Sequence, residues 1–190
     1  MIDQPNPQVR IGLAQVAASD DIAANVEAGL DWVDKAAEAG CRLCVFPEMA
    51  FHPFFPQHRG ERRYFAWAEP IPGPITELFQ ERAAKHGIVV VPNIFELAGP
   101  GRHYDASPII DADGSLVGVS RMTHIAEEPK VTFAGKSFVV DPAGEIVTRA
   151  GEGEELLVVD IDPAQVAEVR QKRPFLRDRR PELYGVLGER

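Results

Sequence analysis

Glu48 is the first residue whose type and place suggest chemistry. It is the first ionisable group after a short apolar run, Leu43-Cys44-Val45-Phe46, that Pro47 stops. A carboxylate at the carboxyl end of a buried strand stands where α/β architectures gather their reacting groups, and it can take or give a proton there. The same position also suits a turn cap or the partner of a nearby arginine. Cys41 and Cys44 have C-x-x-C spacing, the pattern of a redox pair or half a metal site. No second pair exists to complete a zinc site, and a redox pair normally opens a helix, whose dipole lowers the thiol pKa. Cys44 is therefore expected to pack as a small apolar residue. His52 and His58 lie near prolines without ligand spacing, so no metal is expected.

The elements that must position Glu48 are legible around it. Residues 9–16 alternate as a first strand. Ser19, Asp20 and Asp21 supply capping oxygens, and Ile22, Val26, Leu30, Val33 and Ala37 then recur at helical spacing as far as Gly40. Residues 50–72 are dense in aromatics and proline, too long for a connector and too apolar for disorder, so they should fold over something. A wall beside Glu48 and a surface against a partner subunit are both open. Pro74 begins a second helix ending at Gly87, and residues 88–95 read as one further strand. Residues 104–110 and 116–121 form a hairpin about Asp113-Gly114, and 136–140 with 145–149 repeat that grammar. A strand over 155–161, a short helix to about Arg173 and an arm from 174 to 190 complete one domain, 1–190.

The chain has 190 residues, 45% of them hydrophobic and 26% charged, as expected of a soluble globular domain. A net charge of −9 argues against nucleic acid as the main partner. The basic residues between Arg170 and Arg180 are interrupted by Asp178 and followed by Glu182, so internal ion pairing is expected there. No apolar run reaches membrane-spanning length and the opening is unlike a signal peptide, so the expected location is cytoplasmic and no membrane partner is expected. No glycine-rich phosphate loop follows a strand, so no cofactor is expected.

Several stretches resemble the nitrilase, or carbon–nitrogen hydrolase, superfamily. Val45-Phe-Pro-Glu-Met49 is similar to the segment bearing its catalytic glutamate. His103-Tyr104-Asp105-Ala106-Ser107, followed by Ile110-Asp-Ala-Asp-Gly114, resembles the hairpin leading to its catalytic lysine. Arg177-Asp-Arg-Arg-Pro-Glu-Leu-Tyr184 is most similar to the N-carbamoyl amidase branch. The resemblance implies an α/β fold, an αββα sandwich of mixed sheets with β-hairpins, usually dimerised. It also implies a Glu-Lys-Cys triad: a thiol attacks an amide or nitrile carbon, a carboxylate takes the proton and an ammonium steadies the developing charge.

Measured against that pattern, only Glu48 matches. Met122 stands where the resemblance puts the lysine. The block that should carry the cysteine has no counterpart, its place being near residues 126–131. The expectation is a truncated sandwich with an exposed apolar face or edge, covered by homo-oligomerisation as a dimer. The expected role is a non-catalytic binding or structural homologue, with a small amide or amine as a possible ligand. The alternative is a repurposed enzyme in which Glu48 works with Asp105 and His124 in acid–base chemistry. Asp105 stands where the branch usually has asparagine, placing a second carboxylate near Glu48. His52, Phe54, Tyr104 and Glu127 are the expected substrate-binding residues, with Glu128 a further acid beside Glu127.

Overall fold

The computed structural model of the protein describes residues 8–58, 61–122, 134–183 and 185. Strand β1 (Val9–Gln15) leads into helix α1 (Ile22–Glu38), and β2 (Leu43–Val45) returns parallel to β1. Helix α1 starts where the sequence offers a cap: Asp21 Oδ1 accepts the Ala24 N–H at 3.0 Å. Helix α2 (Pro74–His86) has Pro in its first turn and stops at Gly87, whose φ of +62° is the left-handed conformation that glycine adopts without strain. Strand β3 (Val89–Val91) then pairs parallel to β2.

The strand expected over residues 88–95 is instead two. Pro92 lacks the N–H a ladder needs, and Asn93 turns its side chain to other partners. Strand β4 (Ile94–Gly99) therefore starts afresh, antiparallel to β5 (Arg102–Ile110). Strand β6 (Leu116–Arg121) closes the expected hairpin, with Gly114 at φ +85° in its turn. Strands β7 (Phe138–Val140) and β8 (Ile146–Arg149) form the second hairpin. Strand β9 (Glu155–Ile161) pairs antiparallel along the whole of β1, giving the order β4-β5-β3-β2-β1-β9 with β6 beside β5. Helix α3 (Ala164–Lys172) buries none of its side chains. Beyond it Phe175, Leu176 and Leu183 are exposed, and Arg177 and Arg180 pair with Asp178 and Glu182.

Both long helices cover one face of this mixed sheet. Val26, Leu30, Val33 and Ala36 of α1 and Ile75, Phe79 and Ala83 of α2 form one core with Ala14, Cys44, Val90 and Ile110 from the strands. Phe46, Phe51 and Phe79 meet at its centre with ring centroids 5.0–5.6 Å apart. Asp34 of α1 bonds both Arg82 and His86 of α2, fixing the helices side by side. Strand alternation sends Ile11, Leu13, Leu43, Val45, Val89 and Val91 to the opposite face, where they are only half-buried. Among the described residues, no helix is long and apolar enough to cross a membrane.

Two substitutions test this packing in opposite directions by chemical denaturation. Phe51→Ala empties the aromatic centre and should lower stability by about 3–5 kcal/mol. Thr76 is fully buried and its Oγ1 has no hydrogen-bond partner, so Thr76→Val should raise stability by about 1 kcal/mol.

Candidate functional site

The end of β2 makes the site. After Pro47 the chain turns at Met49, whose φ of +52° is left-handed and uncommon for a residue other than glycine. Asn93, freed by the break after Pro92, fastens that turn. Its Oδ1 accepts the Met49 N–H at 2.6 Å, and its Nδ2 donates to Asp105 Oδ1 at 2.5 Å and to Ser107 Oγ at 3.0 Å. One side chain thus joins the turn after Glu48 to β5.

Asp105 is 3% exposed, and its Oδ2 has no donor. The Glu48 carboxyl lies within its reach. Glu48 is exposed overall, but partial desolvation of its carboxyl raises its pKa above the ordinary value, and hydrogen bonding and repulsion from Asp105 raise it further. Protonation of Glu48 relieves the repulsion between the two carboxyls. Met122 donates its backbone N–H to the Asp105 carbonyl at 2.9 Å, and its side chain is 39% exposed. Where the resemblance puts an ammonium, the chain has this thioether, and it does not line the cleft beside Glu48.

Glu48 borders a cleft of about 460 Å³. Residues 15–18, residues 47–50 and His52, Pro53 and Phe54 form one side. Ala134, Gly135, Ser137, Glu152, Gly153 and Glu154 form the other. Gln15 holds the second wall in place. Its Nε2 donates to the carbonyls of Gly151 at 3.0 Å and Gly153 at 2.5 Å, and its Oε1 accepts the Ser137 N–H at 2.8 Å. His52 is 1% exposed, and burial pushes its pKa down to about 4, only partly offset by the Trp67 backbone. Its ring is neutral at physiological pH.

Of the residues singled out from sequence, Glu48, Asp105, His52 and Phe54 gather at or behind this cleft. Tyr104 does not. Alternation along β5 puts it on the face opposite Asp105, where Arg121 lies over its ring at 5.3 Å. Arg121 also grips the buried Glu96 through two bonds of 2.5 Å, so its charge is committed away from the cleft. His124, Glu127 and Glu128 lie outside the described residues. Of residues 50–72, the first part walls the cleft, and the remainder packs Phe55 and Phe65 against Phe95 and His103. Cys41 and Cys44 are both buried; burial pushes the Cys44 thiol up to about 12 and also raises that of Cys41. Sequence reading missed Asn93, Gln15, Glu152 and Glu154. The Pro-Asn step inside an apolar run was the one local signal for Asn93.

The Carbon-nitrogen hydrolase family profile matches residues 10–132 and 126–171, two stretches that overlap. An N-carbamoylputrescine amidase of Solanum lycopersicum is 32% identical over 126 residues, covering 66% of this chain and 42% of that protein. The chain thus spans well under half the length of that relative. An N-carbamoylputrescine amidase of Arabidopsis thaliana is 33% identical across 286 positions, more than 190 residues can fill, with 95% of each chain covered. Among solved structures, a carbon-nitrogen hydrolase from Helicobacter pylori G27 superposes with a TM-score of 0.86 at 18% identity, covering 95% of this chain and 98% of that one. That likeness extends to the fold.

The two shifted groups have opposite effects on stability against pH. The folded chain holds the Glu48 proton more tightly than the unfolded chain does, so this carboxyl favours folding in acid and opposes it as pH rises through its range. Neutral, buried His52 does the reverse: stability falls as pH drops from 6.5 towards about 4, because the unfolded imidazole takes up a proton that the folded one refuses. Asp105→Asn should lower the Glu48 midpoint in a ¹³C NMR titration and raise stability at neutral pH. That gain should vanish at pH values where Glu48 is protonated in both states.

Proposed function

The chain belongs to the carbon–nitrogen hydrolase family, and from that premise we propose that it is a member without thiol-dependent hydrolysis. In this reading it binds a small amide-, carbamoyl- or amine-bearing molecule at the Glu48 cleft. The position of its thiols carries the reading. The sequence has two cysteines, both buried, and neither lines the cleft. A thiol nucleophile must reach its substrate as thiolate, whereas Cys44 is held protonated by burial. Met122 brings no positive charge to the acidic pair. The amide and carbamoyl class comes from the names of the tomato and Arabidopsis relatives. The family match in two overlapping stretches supports a chain without the intervening segment.

One observation favours a second reading, acid–base catalysis without a covalent intermediate. Hydrogen bonding and repulsion from Asp105 raise the Glu48 pKa, and a carboxyl whose proton affinity is raised by a neighbouring carboxyl is the arrangement that can split acid and base roles. Turnover assays on primary amides, N-carbamoyl amines and nitriles, with intact-mass spectrometry of the protein, separate the two. The expected result is no turnover above that of Glu48→Gln and no acyl adduct on Cys41 or Cys44. Glu48-dependent turnover without an adduct would replace the first reading by the second. An adduct on either cysteine would overturn both.

A further inference from the structure

A second recess, of about 400 Å³, lies between the turn of the second hairpin and the end of α3 with the arm that follows it. Pro142, Val169, Phe175 and Leu176 give it apolar surface, and Arg170, Arg173 and Arg177 give it three guanidinium groups. No carboxylate is among its described lining residues. Asp141, beside Pro142, is spent on its own turn, where Oδ1 accepts the Ala143 and Glu145 N–H groups at 2.8 and 2.9 Å. The sequence pattern predicts internal ion pairing for this basic stretch, and the structure meets that expectation in part. Arg177 pairs with Asp178 and Arg180 with Glu182, whereas Arg170 and Arg173 form no ion pair among the described residues. Backbone bonds give the recess its shape. The Arg173 N–H reaches the Val169 carbonyl at 2.8 Å, Phe175 N–H the Arg173 carbonyl at 2.9 Å and Asp178 N–H the Pro174 carbonyl at 2.9 Å. Residues three and four apart on a helix are neighbours, about 5–6 Å between Cβ atoms, so Val169, Arg170 and Arg173 share one face.

A basic last turn suits the negative end of a helix dipole, and that alone would account for Arg170 and Lys172. It does not account for Phe175 and Leu176, 78% and 71% exposed beside those charges, on a helix and arm that leave apolar area for something else to cover. The mixed lining selects the occupant. An inorganic anion would gain nothing from the apolar side chains, and a neutral apolar molecule nothing from the charges. Nucleic acid needs more phosphate contacts than three arginines on a chain of net charge −9 supply. Phosphate heads are commonly met by helix N-terminal N–H groups, whereas α3 brings its C-terminal end here, which weighs more against a dianion than a monoanion. A lipid surface takes up protruding apolar residues, whereas Phe175 and Leu176 line a concavity of the size that takes a small organic molecule. We propose that this recess binds a small organic carboxylate, its head received by the guanidinium groups of Arg170 and Arg173 and its apolar body laid against Val169, Phe175 and Leu176. Guanidinium and carboxylate match fork to fork, and the carboxylate supplies the counter-ion that these two arginines lack.

Isothermal titration calorimetry of the full chain tests this with acetate, hexanoate and octanoate below micelle-forming concentration, beside 1-hexanol and hexyl phosphate. Affinity should rise with chain length along the carboxylates, 1-hexanol should not bind, and added salt should weaken the carboxylates. Arg170→Gln and Arg173→Gln together should weaken octanoate about tenfold or more, the loss expected for charge-assisted contacts. Leu176→Ser should flatten the dependence on chain length. All three side chains are exposed, so these variants keep the fold. Acetate binding as tightly as octanoate, or octanoate indifferent to the double substitution, would overturn the assignment. Hexyl phosphate binding more tightly than hexanoate would overturn the choice of a carboxylate head. Sedimentation of the chain with phosphatidylglycerol vesicles, undiminished by octanoate, would give the patch to a lipid surface instead. Silence from every carboxylate would overturn the proposal outright. None of the lining residues borders the Glu48 cleft, so each result bears on this recess alone.

Discussion

The amide of Asn93 is the constraint on which the site depends. A residue with φ near +50° and a side chain of Met49's size costs of order 1–3 kcal/mol unless its surroundings hold it. Here the Asn93 carbonyl oxygen holds the Met49 N–H at 2.6 Å, the His52 N–H closes the turn onto the Met49 carbonyl at 3.1 Å, and the same Asn93 amide's nitrogen grips Asp105 and Ser107. An aspartate of the same shape would lack the donors that Asp105 and Ser107 receive. Leucine would lack everything. The break in the sheet after Pro92 is what releases Asn93 from ladder geometry to do this, so a backbone interruption and a side-chain bridge are one device.

The electrostatics of the neighbourhood follow from where its cations are spent. Arg121 is closed on Glu96, which is 2% exposed and would be an uncompensated buried charge without it. Lys136 sits at the rim on Glu152. Among the described residues Asp105 is the charged neighbour that acts on Glu48, and its repulsion adds to desolvation in raising the Glu48 pKa.

Local pattern carried the sequence reading as far as local pattern extends. Both long helices were legible because Asp21, Pro74 and Gly87 punctuate them and their apolar residues recur on one face. The hairpins were legible because Asp113-Gly114 turns the first and Asp141-Pro-Ala-Gly144 turns the second. Glu48 was visible as the polar residue after a buried strand. Tyr104 was misplaced because one step along a strand reverses the face, and only the pairing of Glu96 with Tyr104 and of Phe95 with Asp105 shows which face is which. Asn93 and Gln15 were missed for a different reason. Their partners lie 44 residues away for Met49 and 122 to 138 residues away for the loops that Gln15 holds. No window on the sequence spans such distances. The division at Pro92 combined both problems, since an apolar run with a proline inside reads as one interrupted strand until the antiparallel register of β4 is known.

Gln15 gives the cleft a property of its own. The two walls come from distant parts of the chain, and one buried amide laces them across more than 120 residues of sequence. An occupant touching both walls would act as a removable cross-link between the β1 and β2 ends and the loops of the second hairpin. Its binding energy would then oppose separation of β1 from the second hairpin rather than ordering a loop, and would add to the stability of the whole molecule. The cleft exists only where the second hairpin is seated on β1, so its occupancy would report that seating.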